Sequence, residues 1–339
     1  WTFLASIQRL TGDRLSALVN RLCKGAELGE LRIDSEESVK PWEHRPLKLA
    51  KSDFPGQIGI VRANMVYIPK DGFSQRALNR LKRLASFKNP VFYRQQAMRL
   101  STFGIPRIIS CAEETPEYLC LPRGCEDDLF AELSPFGVTI QVMDQRNTGR
   151  LIKVKFNGVL RDEQPLALQQ MLGYDNGILC GTTAFGKTVL AIKVIAERKV
   201  NTLILVDKTT LAHQWREKLE EFLIIHESLP EKQTTKAGKR GRKKKNHLIG
   251  QLGAGKDTLS GIIHIALVQS VSRQGTVNDC VQSYGMIIAD ECHHASAFTY
   301  EQILKTTNAR YIYGLTATPT RKDGHHPILN MHLGAIRYR

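Results

Sequence analysis

Short apolar runs alternate with stretches of helical length from about residue 158 to the end of this 339-residue chain. The runs are continuously apolar, so strands formed from them would be buried on both faces. Strands of this kind, separated by helices, predict a parallel sheet that is covered on both sides. Ligands of such sheets bind beyond the carboxyl ends of the strands, so the residues after each run are candidate site residues. The runs are GILC, TLILV, IIHIALV, GMIIAD and YIYGL.

The first half of the chain has a different pattern. Residues 46–157 mix short apolar strands with amphipathic helices, which predicts a small α+β domain ahead of an α/β lobe at 158–339. Residues 1 to about 25 carry apolar positions at helical spacing and are expected to form one or two helices, and residues 26–56 are expected to be a linker. In the α+β domain, strands are expected at 58–63, 65–69, 106–111 and 138–143, and helices at 75–87 and 90–100.

The composition excludes several classes of protein. Hydrophobic residues make up 42% of the chain, which fills a core and excludes a disordered or fibrous protein. No apolar run reaches the length of about 18 residues that a membrane span needs, and the N-terminus does not resemble a signal peptide. The seven cysteines lack paired C-x-x-C spacing, so neither a disulfide framework nor a zinc site is predicted. Small buried thiols in a cytoplasmic protein are the simpler interpretation.

The net charge of +15 is concentrated in one segment. Eight Lys or Arg residues and no acid lie at 232–245, in a glycine-containing run without apolar periodicity. Such a run is either a solvated loop or a contact for nucleic-acid phosphates. A second basic set, Arg76, Arg80, Lys82 and Arg83, lies on a predicted amphipathic helix and is interpreted as its solvated face.

A glycine-rich loop follows the run GILC and precedes an apolar helix. It fits G-x-x-x-x-G-K-[ST] in the strand, loop and helix order that phosphate binding requires. Its glycines let successive N–H groups point inward, and the helix N-terminus adds positive potential. Lys187 would contact the β- and γ-phosphates, and Thr188 would ligate Mg²⁺. The predicted nucleotide-binding residues are Gly181, Thr182, Thr183, Ala184, Phe185, Gly186, Lys187 and Thr188.

Two adjacent carboxylates end the run GMIIAD. Asp290 and Glu291 would repel each other unless a cation lies between them and a phosphate group. The sequence therefore predicts Asp290 as a Mg²⁺ ligand and Glu291 as the residue that positions or activates the attacking water, with Lys187 as the third catalytic residue. A metal site built from Cys292, His293 and His294 is the weaker alternative, because adjacent side chains diverge on an extended strand.

The motifs GTTAFGKT, DECHH and the later TATP resemble those of superfamily 2 DEAD/DEAH-type helicases, most of all the XPB-like and restriction-translocase branch. The resemblance covers about 158–339 and implies a RecA-like P-loop NTPase lobe that uses ATP and Mg²⁺. It also implies that Gln164 reads adenine. Asp162 and Glu163 depart from the family pattern at this point, so Gln169 or Gln170 is an alternative reader.

The same resemblance assigns residues to nucleic-acid contact and to coupling. It implies that Lys208, Thr209, Gln269 and Ser270 contact the nucleic acid, and that His293, Thr316 and Thr318 couple this contact to ATP. Without the resemblance, the two threonines would be interpreted as caps of a strand end. Leu211 and Trp215 are interpreted as core residues of a helix.

Longer phrases, among them RLKRLASFKNPVFYRQQAMRLSTFGIPRIISC and LTATPTRKDGHHP, are similar to the helicase part of TOTE conflict-system proteins. That similarity implies that residues 1–45 are the tail of a covalently linked primase-like domain. It also implies that a second RecA-like lobe follows residue 339.

These observations together predict an ATP-dependent nucleic-acid helicase or translocase in phage or mobile-element conflict, acting on DNA in preference to RNA. One alternative is a restriction- or repair-type translocase that pumps duplex DNA without separating its strands. The other is an ATP-gated clamp that holds nucleic acid and does not move.

Overall fold

The computed structural model describes residues 49–227, 248–292, 297–318 and 323–339. The predicted upstream tail at 1–45, the basic run at 232–245 and His293 lie outside the described residues. The described chain forms two main sheets, one in an accessory domain and one in a larger lobe that follows it. No helix in the described ranges combines the length and apolarity that crossing a bilayer requires.

The accessory domain is built on a five-stranded sheet with the order β5-β6-β2-β1-β7. Strands β1 and β7 are parallel, and the other neighbours are antiparallel. A separate hairpin, β3 with β4, lies outside this sheet. The strands are β1 (Gln57–Arg62), β2 (Val66–Pro69), β3 (Ser86–Lys88), β4 (Ile108–Ser110), β5 (Glu113–Glu114), β6 (Tyr118–Leu121) and β7 (Thr139–Asp144). The helices are α1 (Gln75–Leu84), α2 (Pro90–Ala97) and α3 (Glu126–Leu133).

Helix α1 shows how the local sequence specifies an element of the domain, although it ends at Leu84 and not at the predicted residue 87, because strand β3 begins at Ser86. Ser74 caps the helix by accepting a hydrogen bond from the Ala77 N–H at 3.2 Å. Leu78 and Leu81 lie on the buried face, one turn apart. On the other side, Arg80 pairs with Glu132 at 2.9 Å and Lys82 with Glu114 at 2.5 Å, so part of this basic set is matched by acids. The Arg80 side chain is 49% exposed, as expected for a solvated helix face, whereas the Lys82 side chain is only 25% exposed.

The larger lobe has an eight-stranded sheet with the order β13-β12-β14-β10-β17-β18-β9-β19. All its neighbours are parallel except β13, which confirms the predicted α/β class with a parallel sheet. Its strands are β9 (Asn176–Cys180), β10 (Thr202–Val206), β12 (Ile249–Gly253), β13 (Lys256–Asp257), β14 (Ile263–Leu267), β17 (Met286–Ala289), β18 (Tyr311–Thr316) and β19 (Ile336–Tyr338). Two small pairs accompany it: β8 (Val154–Phe156) with β11 (Leu223–Ile225), and β15 (Ser272–Arg273) with β16 (Thr276–Val277).

Helices cover both faces of this sheet, and each face has its own apolar core. The five predicted runs all form strands of the sheet, with every side chain of β10, β14 and β17 buried. The helices are α4 (Gln164–Leu172), α5 (Lys187–Arg198), α6 (Thr209–Phe222), α7 (Val268–Val271), α8 (Ala297–Thr306) and α9 (His326–Leu333).

The boundary between the two parts differs from the predicted one at residue 157. Strand β8 pairs with β11 of the lobe, and the side chains of Ile152 and Val154 lie in the core that also contains Trp215. Residues 152–156 therefore pack with the lobe. Their partners come some 70 residues later in the chain, so no local pattern at 152–156 indicates this pairing.

The accessory domain and the lobe are docked through buried contacts. Ile328 of α9 is fully buried within the accessory core. Gly124 packs so closely on the end of α9 that a Cβ would overlap the carbonyl oxygen of Asn330. The buried Arg123 guanidinium donates to the carbonyl oxygens of Thr307, at 3.1 Å, and Ala309, as well as to Asn64 of its own domain.

Replacement of Arg123 by Met is expected to lower the free energy of unfolding by about 2–4 kcal/mol, because several buried carbonyls lose a charged donor while volume is kept. Arg80→Met is the matched control, since the Arg80 side chain is 49% exposed and its pair with Glu132 is worth less than about 1 kcal/mol. Urea denaturation of both variants measures the difference. Equal losses would show that Arg123 does not hold the two parts together.

Candidate functional site

The phosphate loop connects β9 to α5, at the carboxyl edge of the parallel sheet. A single 3₁₀ turn spans Thr183–Phe185, and the chain then passes through Gly186 at a φ of +83°. Only glycine adopts this conformation without strain, and a Cβ there would also lie 2.6 Å from the Gln164 amide nitrogen. Helix α5 begins directly afterwards at Lys187, so its first N–H groups face the loop.

The Lys187 side chain lies inside the loop and is 6% exposed. Its ammonium donates to the carbonyl oxygens of Gly181 at 3.0 Å and Thr182 at 3.3 Å. It also lies 3.7 Å from Oε1 of Glu291. The two separate sequence motifs, about a hundred residues apart, therefore approach each other in the folded chain.

Gln164 braces the phosphate loop from the start of α4. Its buried amide donates to the Phe185 carbonyl at 2.7 Å and accepts from the Arg161 N–H at 2.9 Å. Arg161 adds a bond from its guanidinium to the Ala184 carbonyl at 3.1 Å. The alternative readers, Gln169 and Gln170, are exposed on the same helix. The structure thus gives Gln164 a loop-supporting role that the sequence did not indicate, and Arg161 shares it.

Asp290 follows β17 and is held on both carboxylate oxygens. Oδ1 accepts from the Glu291 N–H at 2.9 Å, and Oδ2 accepts from the indole N–H of Trp215 at 2.6 Å. Burial raises the pKa of Asp290 to about 6, the Trp215 bond opposes this rise, and the Glu291 carboxylate adds to it. A cation beside Asp290 would reverse this balance by favouring the charged form.

Glu291 lies at the turn immediately after Asp290. Its φ is +44°, in the left-handed region, where the backbone strain of a residue other than glycine is on the order of 1–3 kcal/mol. This conformation turns the chain sharply after the strand and places the Glu291 carboxylate near Lys187. Strained residues persist where the surrounding structure holds them, which is frequent at active sites.

Trp215 contacts the candidate site through a bond that the sequence did not indicate. It is 1% exposed and lies in the lobe core, as predicted for a helix α6 core residue. Its ring nitrogen nevertheless reaches Asp290, and this bond joins the helix after β10 to the strand end of β17. A buried Trp usually satisfies its N–H, but no spacing in the sequence identifies the acceptor.

Thr316 and Thr318 lie at the end of β18, between β9 and β17 in the sheet. The Thr316 hydroxyl donates to the Thr318 carbonyl at 2.8 Å and accepts from the Thr318 N–H at 3.1 Å, which caps the strand end. The Thr316 carbonyl accepts the Gly181 N–H at 3.0 Å. The backbone of Gly181, the first residue of the phosphate loop, is therefore hydrogen-bonded to the segment that is predicted to couple nucleic-acid contact to ATP.

The residues predicted to contact nucleic acid lie on the same edge of the sheet. Lys208 and Thr209 follow β10 and are exposed, while Gln269 and Ser270 follow the neighbouring parallel strand β14. Gln269 is exposed and Ser270 is half-buried. These four residues share an edge with Asp290, because β17 is the other neighbour of β10.

The donor set fits a nucleotide with Mg²⁺. Thr188 offers a hydroxyl and Asp290 a carboxylate, which are the hard oxygen ligands that Mg²⁺ prefers. Lys187, the loop between Gly181 and Gly186 and the N-terminus of α5 supply positive potential for phosphates.

Replacement of Trp215 by Phe removes the indole N–H while keeping an aromatic ring in the core. The Mg²⁺ concentration needed for half-maximal ATP hydrolysis is expected to rise about 10- to 100-fold, because Asp290 loses the donor that orients it. Leu219→Ala on the same helix is the control for lost packing, since Leu219 is fully buried. A similar change in Mg²⁺ requirement in both variants would show that Trp215 acts through packing and not through its bond to Asp290.

Comparison with known proteins places this site in a family context. Residues 157–321 match the family model described as "Type III restriction enzyme, res subunit". The chain is 31% identical to the DNA 3'-5' translocase XPB2 of Sulfurisphaera tokodaii over 56% of its length, and 30% identical to the putative helicase 109L of Invertebrate iridescent virus 3 over 53%. It covers 37% and 51% of these two relatives, so it spans about a third to a half of their lengths.

The fold is also similar to that of a solved structure. The UvsW helicase from bacteriophage T4 has a TM-score of 0.58 at 16% identity, over 84% of this chain and 100% of that chain. The similar region is longer than the lobe alone, so it includes part of the accessory domain. The described part of the lobe, with its phosphate loop facing Asp290 and Glu291, has the parallel α/β fold of RecA-like lobes, and the matched family model and relatives support a lobe of the superfamily 2 helicase type.

Proposed function

We propose that this lobe binds ATP with Mg²⁺ and that the protein uses ATP hydrolysis to move along DNA. The observation that carries the proposal is the 3.7 Å approach of the Lys187 ammonium to the Glu291 carboxylate, because it joins a phosphate-binding loop to a candidate base. The relatives named as a DNA translocase and a helicase support the same class of activity.

Each residue of the site has a distinct part in the proposed reaction. Lys187 and the N–H groups of the loop bind the β- and γ-phosphates, and Gln164 and Arg161 hold the loop in shape. The further amide capacity of Gln164 is available to read adenine. Thr188 and Asp290 hold Mg²⁺, which when bound neutralises phosphate charge. Glu291 orients the attacking water and accepts its proton.

Coupling to DNA follows from the shared edge of the sheet. Phosphates of one strand would contact Lys208 and Thr209 after β10 and Gln269 and Ser270 after β14. A displacement of Thr316 would also displace Gly181, because the two residues are joined by a backbone hydrogen bond of 3.0 Å. We propose that this bond, together with Thr318 and His293, couples DNA binding to the phosphate-binding loop of the ATP site.

We also propose a biological setting for this protein. The phrase-level similarity to TOTE conflict-system proteins, and relatives named as helicases of an iridescent virus and of Escherichia phage T5, support a role in phage or mobile-element conflict. A covalently linked primase-like domain and a second RecA-like lobe are proposed partners within the full protein. The six cysteines that the structure describes form no disulfide bonds with one another, which fits the reducing cytoplasm.

Two DNA substrates test the proposed activity in the full-length protein. A forked duplex reports strand separation, and a triplex reports movement along duplex DNA without separation, both with ATP and with a non-hydrolysable analogue. We expect ATP-dependent displacement of the forked strand. Triplex displacement alone would identify a duplex translocase. A stable footprint with the analogue and no displacement with ATP would identify a clamp and overturn the proposal.

A further inference from the structure

Three potential metal ligands meet where the accessory domain contacts the helicase lobe. Cys111 follows β4 of the accessory domain, Glu301 lies on α8, and His332 lies on α9. The Cys111 sulfur, a Glu301 carboxylate oxygen and a His332 ring nitrogen all lie within 4.8 Å of one another. This ligand cluster is far from the phosphate loop in sequence and uses no residue of the ATP site.

The cluster is buried. Cys111 is 0% exposed and His332 is 3% exposed, and the Glu301 side chain is 13% exposed. Three different donor atoms, sulfur, nitrogen and oxygen, are thus brought into a region from which most water is excluded. Polar groups in such a region are normally satisfied by a partner.

The buried Nε2 atom of His332 has no partner within hydrogen-bond distance among the described residues. Its nearest acidic neighbour is Oε1 of Glu301 at 3.9 Å, which is too long for a hydrogen bond. A buried unpaired ring nitrogen costs about 1–3 kcal/mol, so its placement opposite a thiol and a carboxylate needs a physical reason.

The neighbouring charges are compatible with a cation. Lys305 donates to Oε1 of Glu301 and to Oε1 of Glu113, both at 2.8 Å, so its charge is shared between two carboxylates. Glu301 has a second oxygen for a further ligand. Burial, with a smaller contribution from Glu301, raises the pKa of the Cys111 thiol to about 12. Binding must therefore displace the thiol proton, as it does when zinc binds cysteine.

We propose that Cys111, Glu301 and His332 bind one zinc ion at this domain boundary, with a water molecule as the fourth ligand. Thiolate, imidazole and carboxylate together match the ligand preference of zinc and not that of Mg²⁺. Bond lengths of about 2.0–2.3 Å separate tetrahedral ligands by roughly 3.3–3.7 Å. Since the ligand atoms already lie within 4.8 Å of one another, each pair has to approach by about 1.5 Å at most. The ion would join β4 of the accessory domain to two helices of the lobe.

Cys111 and His332 come from opposite sides of the domain boundary, so zinc would stabilise their docking. The cysteine spacing argued against a zinc site because motif patterns detect ligands that are close in the sequence. Here the ligands are separated by about 190 and 30 residues, and only the folded chain brings them together.

The test uses the full chain after removal of metals with a chelator, in the absence of nucleotide. We expect about one zinc per chain by elemental analysis after re-addition and desalting. Cobalt substitution is expected to give a thiolate-to-cobalt absorption band in the near ultraviolet. That band distinguishes this cluster from the oxygen ligands near Asp290, so the result does not depend on the proposed ATPase activity.

Variants of similar size locate the site. Cys111→Ser is expected to abolish the thiolate band, and His332→Gln and Glu301→Gln are expected to weaken zinc binding by at least about 100-fold. Cys120→Ser is the matched control, because Cys120 is an equally buried thiol of the accessory domain outside the cluster and should retain the ion. Circular dichroism confirms that each variant is folded.

Two results would overturn the proposal. One is the absence of bound zinc in the wild-type protein at concentrations that saturate a structural site. The other is equal zinc binding, with the same thiolate band, in the wild-type protein and in Cys111→Ser. If one variant fails to fold, the remaining two ligand variants still decide the outcome.

Discussion

Glu291→Gln is expected to lower the ATP turnover rate by about 10²- to 10⁴-fold and to leave ATP affinity nearly unchanged. The amide keeps the shape of the side chain at the turn after β17, but it cannot accept the proton of the attacking water. Lys187 retains its bonds to the Gly181 and Thr182 carbonyls in this variant, so the phosphate loop should keep its form. Single-turnover hydrolysis and nucleotide titration measure the two quantities separately.

Asp290→Asn is the comparison that separates the two carboxylates. It should raise the Mg²⁺ requirement, because an amide is a weaker ligand than a carboxylate. Glu291→Gln should leave the Mg²⁺ requirement nearly unchanged. Identical Mg²⁺ titrations for the two variants would show that the division of roles between Asp290 and Glu291 is wrong.

Lys187→Ala is expected to weaken ATP binding by at least about 100-fold, because charge-assisted contacts to the phosphates are worth about 1.5–3 kcal/mol each. Lys193→Ala is the matched control on the same helix. The Lys193 ammonium pairs with Glu197 at 2.6 Å, away from the loop, so its loss should leave ATP affinity unchanged. Calorimetric titration with ATP compares the two variants.

Thermal unfolding of Lys187→Ala is the control for a loss of stability in this variant. Lys187 is buried and bonded to two loop carbonyls, so Lys187→Ala should also lose some stability, and the titration must be performed well below its unfolding temperature. If Lys187→Ala binds ATP as tightly as Lys193→Ala does, the glycine-rich loop is a turn and not a phosphate site.

Much of the larger lobe was predictable because its signals are local. The runs TLILV and GMIIAD became β10 and β17, since a continuous apolar run is long enough to specify a buried strand. Strand β12, which reads IGQLG, was missed because its glycines and glutamine interrupt the apolar pattern. Gly253 there has a φ of +109° and lies close to Ser270, so glycine is required by contacts that the sequence does not display.

The site was predictable to a similar extent. Asp290 and Glu291 were predicted because they end an apolar run, where a parallel sheet gathers its ligands, and Lys187 because it belongs to the glycine-rich loop that follows another such run. The bond from Trp215 to Asp290 joins residues 75 positions apart, and Arg123 bonds to a carbonyl 186 positions away. Contacts of this kind depend on tertiary packing, so composition and periodicity contain no signal for them.

Because Ile328 of α9 packs in the core of the accessory domain, α9 and that domain have to match when genes for related proteins recombine. A crossover near residue 150 would appear to exchange the accessory domain as a cassette, but it would leave α9 behind with the other parent. The new domain would then receive a foreign side chain in its core and a foreign helix end against its equivalent of Gly124. Working hybrids should therefore be those in which residues 49–150 and α9 are inherited from the same parent.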